Sequence, residues 1–264
     1  MLYDKYAFAT ASDLASAAYA VDKSDRLSHA LDLMEKHRVN QLLVVSDGEL
    51  IGILTKRGIA RTLGASDDLI KPASSLHVTK AMDDTFQAAS GSLPVGVILR
   101  LFKSSDIVVV VNGQPARWIT FDEIVKASRP AGVASDIMDS PTTCSPYDRV
   151  THVRRRMIDE NKWWMTVTDD KKLVGIITEN DIAKATSQFR SIVKPDYQDS
   201  RVRKLLVGDI MVPDIVFART NTSCEVVVDL MLKHDVEGVP ILNPEDAIVG
   251  VITQTTVLRN LECR

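Results

Sequence analysis

Four times along this chain a short apolar run ends in a threonine, and a helix-start pattern follows at once. The clearest copy is Gly175-Ile176-Ile177-Thr178-Glu179-Asn180-Asp181. Two β-formers lead into a threonine that suits a helix N-cap, and an acid stands three residues on, the spacing of a capping box. The other copies are Gly52-Ile53-Leu54-Thr55 with Gly58, Gly250-Val251-Ile252-Thr253 with Thr256, and Trp118-Ile119-Thr120 with Glu123. A lone T-x-x-D is only a well-capped helix, since such caps are common. Recurrence changes that reading. Met138 to Thr178 is 40 residues, Met211 to Thr253 is 42, Met82 to Thr120 is 38 and Ala15 to Thr55 is 40. The landmarks share a context: Asp136-Ile137-Met138 after Val133, Asp209-Ile210-Met211 after Val207, and Ala81-Met82 after Val78. The first copy has Ser12-Asp13-Leu14-Ala15 there. A fixed period of this kind marks a repeat architecture, here with units at 12–64, 74–128, 133–189 and 205–262.

Each unit reads β-α-β-β-α, which makes the fold α/β (α+β). In the first, Tyr19-Ala20-Val21 is a short strand, and Leu27, Leu31 and Met34 share one helix face. Gln41 to Val45 is a buried strand, Asp47-Gly48 a hairpin turn, and a helix runs from Thr55 to about Leu63. The second unit has Val97, Leu101 and Phe102 as its helix face, the strand Ile107 to Val111 and a turn at Asn112-Gly113. The third has Val150, Val153 and Met157 on its helix, and the fourth Val227, Val228 and Met231. A unit of about 60 residues buries too little surface to stand alone. Two pseudo-symmetric modules are therefore expected, units one plus two and units three plus four.

Composition excludes several classes. Over 264 residues the net charge is −3, so no broad nucleic-acid-binding surface is implied. Five bases between 190 and 204 (Arg190, Lys194, Arg201, Arg203 and Lys204) lack interleaved aromatics. The three cysteines, Cys144, Cys224 and Cys263, form no C-x-x-C, so neither a metal site nor a disulfide framework follows. No apolar run approaches the roughly 20 residues that span a bilayer. The N-terminus lacks a signal-peptide apolar region, and a cytoplasmic protein is expected. No nucleophile elbow, P-loop or zinc-protease motif is present, so catalysis is not expected. His37 and His234 occupy matching places, where a cation suits the last carbonyls of a helix.

The G-h-h-T-x-x-D pattern, the D-I-M openings and the h-P-h strand Val239-Pro240-Ile241 together resemble CBS domains. The resemblance covers about 12–262; it is fullest in units three and four and weakest in unit two. Such domains pair into Bateman modules. Four in one chain are similar to the gamma subunit of AMP-activated protein kinase and to stand-alone archaeal four-unit proteins. The resemblance implies a monomeric disc or a homodimer, and clefts for AMP, ADP or ATP, with S-adenosylmethionine a further candidate. It also implies a regulated enzyme or transporter as partner.

The residues fit that chemistry. A helix N-terminus offers N–H groups to an anion. Asp181 has acceptors for two ribose hydroxyls, and Thr178 beside it reaches a phosphate or ribose oxygen. By resemblance the base lies between Ser140-Pro141-Thr142 and Lys162-Trp163-Trp164, with Ile177 ending the strand between. A tryptophan there stacks on adenine or, equally, packs in a core or an interface. Three consecutive arginines, Arg154, Arg155 and Arg156, cannot all face one way on a helix, so at most one reaches a phosphate. Only unit three keeps both threonine and aspartate. A second, weaker site is expected at unit four, with Thr253, Thr256, Gly238, Val239 and Pro240. The leading function is a non-catalytic adenine-nucleotide sensor. The alternatives are an interaction scaffold with vestigial clefts and a nucleic-acid-binding regulator.

Overall fold

The computed structural model describes residues 9–64, 73–111, 117–160, 162, 163–182, 184–185 and 204–262. The turn at Asn112-Gly113 and all the bases of 190–204 except Lys204 lie outside these residues.

The period seen in sequence becomes one structural plan made four times. Repeat one has α1 (Ala11–Leu14), β1 (Ser16–Ala17), β2 (Ala20–Asp22), α2 (Leu27–His37), β3 (Gln41–Ser46), β4 (Glu49–Thr55) and α3 (Lys56–Gly64). Repeat two follows with β5 (Gln87–Ala89), α4 (Val95–Leu101), β6 (Val108–Val110), β7 (Arg117–Ile119) and α5 (Phe121–Ala127). Repeat three has α6 (Ala134–Ile137), β8 (Thr143–Cys144), α7 (Val150–Asp159), β9 (Trp164–Asp169) and β10 (Lys172–Thr178), with helix again at 179–182. Repeat four has β11 (Ala218–Arg219), α8 (Cys224–His234), β12 (Gly238–Leu242), β13 (Ile248–Thr253) and α9 (Gln254–Glu262).

In every repeat the strand before the middle helix pairs parallel with the strand after it, which pairs antiparallel with the last strand; the short β1 of repeat one pairs instead with β7. The parallel pair requires a crossover, which the middle helix supplies. The hairpins close where side chains accept left-handed backbone: Asp47 and Gly48 have φ of 53° and 83°, and Asp170 and Lys171 have 46° and 66°. His37 and His234 sit in the last turns of α2 and α8, and each helix ends on a left-handed residue, Arg38 or Asp235. The expected helix faces are buried in repeats three and four, and in repeat one Leu27 and Met34 are buried with Leu31 half-buried beside them. Repeat two needs a correction. Val97 is exposed, and Ile98 with Phe102 carries the apolar face, because α4 starts at Val95, capped by Pro94, and turns position 98 inward.

The opening segment of each repeat adds an edge to the sheet of its neighbour. Ser16 pairs with Trp118, Ile53 with Asp83, Asp139 with Val251, and Ile176 with Val212. Repeats one and two thus exchange openings, and so do three and four. The landmark methionine of each opening packs on the glycine before h-h-T. A Cβ on Gly175 would stand 2.6 Å from Met211 Sδ, and one on Gly250 would collide with Met138. On Gly52 it would meet Met82 Sδ at 3.2 Å. The fourth contact is reversed in size. Repeat one has Ala15 instead of methionine, repeat two has Arg117 instead of glycine, and Arg117 donates to the carbonyls of Ser12 and Ala15.

Two compact units result: Met1–Ala18 with Thr85–Pro141 and Val216–Arg264, and Tyr19–Asp84 with Thr142–Ile215. This grouping differs from the expected modules. The first unit joins repeats two and four around one continuous core that includes Ile98, Ile124, Val228 and Ile252. The second joins repeats one and three, each with a core of its own around Met34 and Leu54 or around Met157 and Ile177. The openings follow the expected pairing, while core packing follows the other.

Candidate ligand site

In repeat three the threonine–aspartate pair closes a full capping box. Thr178 N–H and Oγ1 both donate to Asp181 Oδ2, at 2.9 and 2.6 Å, and Asp181 N–H donates back to Thr178 Oγ1 at 3.1 Å. The hydroxyl proton of Thr178 is therefore committed to Asp181. All the recorded bonds to the Asp181 carboxylate fall on one oxygen; among the described residues Oδ1 has none. Both residues are half-buried.

The neighbours follow from strand register. Thr178 stands opposite Trp164, and Trp163 O accepts from Glu179 N–H at 2.9 Å. Trp164 is buried at 7% exposure and Ile177 at 0%, so both belong to the packed interior. Lys162 is exposed and Trp163 half-buried. Thr142 O accepts from both N–H and Oγ1 of buried Thr166. Ser140 and Pro141 belong to the first compact unit, and the rest of the candidate set to the second. Arg155 reaches Asp159, and Arg156 donates to Thr143 O and Glu160, so Arg156 holds β8 rather than standing free.

Two side chains from α3 of repeat one complete this corner. The Arg57 guanidinium lies 5.2 Å from the centroid of Trp163, a cation–π distance. Arg61 grips Glu179 through Nε and a terminal nitrogen at 2.9 and 3.1 Å, and the Glu179 side chain is only 10% exposed. The sequence reading missed both arginines. A signal existed: six residues after each threonine stands a base, Arg61, Lys126, Lys184 or Arg259.

In repeat four, Thr253 Oγ1 caps the N–H of Thr256 at 3.2 Å, and the two hydroxyls lie 3.0 Å apart. Thr256 is buried at 1%. Its hydroxyl donates to Asp139 Oδ2 at 2.7 Å, and Arg259 reaches Asp139 Oδ1 at 2.7 Å. Gly238, Val239 and Pro240 are buried in β12, with Gly238 opposite Thr253. Repeat one has only the cap from Thr55 Oγ1 to Gly58 N–H, and repeat two closes its box between Thr120 and Glu123. Among the described residues no group of three or more metal-ligating side chains is present, and no helix is long and apolar enough to cross a membrane.

Comparison with known proteins supports this architecture. The CBS domain model matches residues 11–65, 134–188 and 207–263, together more than half of the chain. Repeat two is not matched, in keeping with Arg117 and Glu123 at its two signature positions. Protein MJ1225 of Methanocaldococcus jannaschii is 22% identical over 254 residues, covering 87% of this chain and 90% of its own. Its crystal structure, put forward as that of an archaeal homologue of γ-AMPK, superposes with a TM-score of 0.77 over 96% of this chain and 99% of its own. A Pyrococcus horikoshii protein of no stated function has a TM-score of 0.62 at 16% identity, over 96% and 99%. Inosine-5'-monophosphate dehydrogenase of M. jannaschii is 31% identical over 118 residues, which is 44% of this chain but 21% of that enzyme. So short a match carries no catalytic activity over to this chain.

Proposed function

This chain belongs to the CBS-domain family, and from that premise we propose that it is a non-catalytic regulatory protein that binds an adenine nucleotide at repeat three. The ligand is AMP, ADP or ATP, with S-adenosylmethionine the alternative, and the regulated partner is an enzyme or a transporter. The observation that carries the reading is the division of labour within Asp181. Oδ2 serves the helix cap, while Oδ1 has no partner among the described residues and stands at the helix start, where N–H groups favour an anion. By the resemblance, Thr142 and the half-buried Trp163 flank the base, with the exposed Lys162 next to Trp163 in sequence and with Ile177 and Trp164 buried behind them.

Calorimetry with the four ligands tests this, with Asp181→Ala as the control. A hydrogen bond to a charged acceptor is worth roughly 1.5–3 kcal/mol. Affinity should therefore fall at least about tenfold. The lost third-position acid costs folding only about 0.3–1 kcal/mol, a drop of a few degrees in melting temperature. Unchanged binding in the variant would reduce the pair to a helix cap.

A second reading has one observation in its favour. Arg57 already covers a face of Trp163, and Arg61 already neutralises Glu179, so protein groups fill this corner. A scaffold with closed clefts would look the same. Silence with all four ligands would put that reading ahead.

A further inference from the structure

Aligning the four helix starts with the openings laid beside them reveals a complementary pattern. Where the third helical position is acidic, as at Asp181 and Glu123, the bridging residue of the exchanged opening is not an acid: it is Val212 in one case and Ser16 in the other. Where the third position is not acidic, the opening brings an aspartate: Asp139 for Thr256, and Asp83 for Gly58. The four bridges are equivalent, each joining the residue after the landmark to the residue after the glycine position. Backbone pairing fixes Asp139 on both sides, since its N–H donates to Val251 O and its O accepts from Val251 N–H, each at 2.9 Å.

We propose that each helix start is built to hold one carboxylate, from its own third position in repeats two and three and from the exchanged opening in repeats one and four. In repeat four that carboxylate closes the cleft on itself. Asp139 engages Thr256 with one oxygen and Arg259 with the other, and Thr256 is shut away from solvent. Among the described residues Asp181 Oδ1 has no hydrogen-bond partner, whereas each oxygen of Asp139 has one. Asp139 is thus a specificity-determining residue that keeps repeat four from taking a vicinal diol. The ligand class rests on the nucleotide reading of repeat three; the closure does not.

Two measurements on the full chain separate the two ideas. In titrations with AMP, the parent should bind one equivalent, and Asp181→Ala should leave no second isotherm. Moving the acid back onto the helix, in Asp139→Ser with Thr256→Asp, should add a second equivalent. Two equivalents in the parent, one of them lost in Asp139→Ala, would overturn the closure and make Asp139 a ligand acceptor. The second measurement is a thermal double-mutant cycle of Asp139→Ala and Arg259→Ala, read without nucleotide. Closure predicts that the double variant melts no lower than Asp139→Ala alone, and strictly additive losses would overturn it. Should AMP bind to none of the proteins, the nucleotide reading fails while the cycle still decides the closure.

Discussion

Replacing Gly250 with alanine tests the interlock between the landmark methionine and the glycine before h-h-T. Gly250 lies in β13 without left-handed backbone, so alanine is not excluded there by conformation. On entropy alone the change should stabilise by about 0.4–1 kcal/mol, because it restricts the unfolded chain. The new Cβ, however, would fall 2.7 Å from Met138 Cγ and 2.9 Å from its Cβ. A methionine tip can swing aside, but Cβ is fixed by the backbone that Asp139 anchors to Val251. Overpacking of this kind costs about 1–3 kcal/mol. The steric term should win, and at about 2–4 °C per kcal/mol the melting temperature should fall by several degrees. Scanning calorimetry of Gly250→Ala, Met138→Ala and the double variant is the assay. Met138→Ala removes the Cγ contact and keeps the Cβ one, so it should recover only part of the loss, and the pair should be non-additive. A Gly250→Ala protein that melts at or above the parent temperature would refute the interlock.

Burial, reinforced by the Asp148 carboxylate, pushes the Cys144 thiol up to about 11. In native protein at pH 8 it should resist iodoacetamide, and peptide mapping should show it alkylated only after denaturation. Arg61→Ala should strand the nearly buried Glu179 carboxylate at a cost of about 1–3 kcal/mol. Glu179→Gln in the same background should restore part of the melting temperature, and no recovery would separate the two residues. Replacing Ala15 with methionine should destabilise the parent, because Arg117 fills that space; combined with Arg117→Gly it should be tolerated, as judged by urea midpoints.

Much of the plan was legible because burial and capping act over a few residues. The β-α-β-β-α order, the turn at Asp47-Gly48, the helix faces of Val150, Val153 and Met157, and the Thr178–Asp181 box each follow from local chemistry. What escaped is what distant segments decide together. Nothing near Gly250 announces Met138, and nothing near Thr256 announces Asp139. The weakness of repeat two was visible as a missing glycine, and that of repeat one as a missing methionine. Only the sheet pairing shows them to be the two halves of one contact between Arg117 and Ala15. Trp164 also read ambiguously, since a tryptophan at a strand start suits a stacking platform and a core equally well. Register against Thr178 resolved it as core.

The exchanged openings also set a clock on synthesis. Asp139 and the helix it fastens are 117 residues apart in sequence. At about 5–20 residues per second, a ribosome takes roughly 6–25 s to deliver one after the other. For that interval the opening of repeat three has no sheet to join, and Met138 no glycine to rest on. Repeats one and two, by contrast, hold each other's openings before repeat three is translated, although the core of repeat two still awaits repeat four. The nascent chain should therefore carry the opening of repeat three unpaired until the helix of Thr256 and Arg259 has been made.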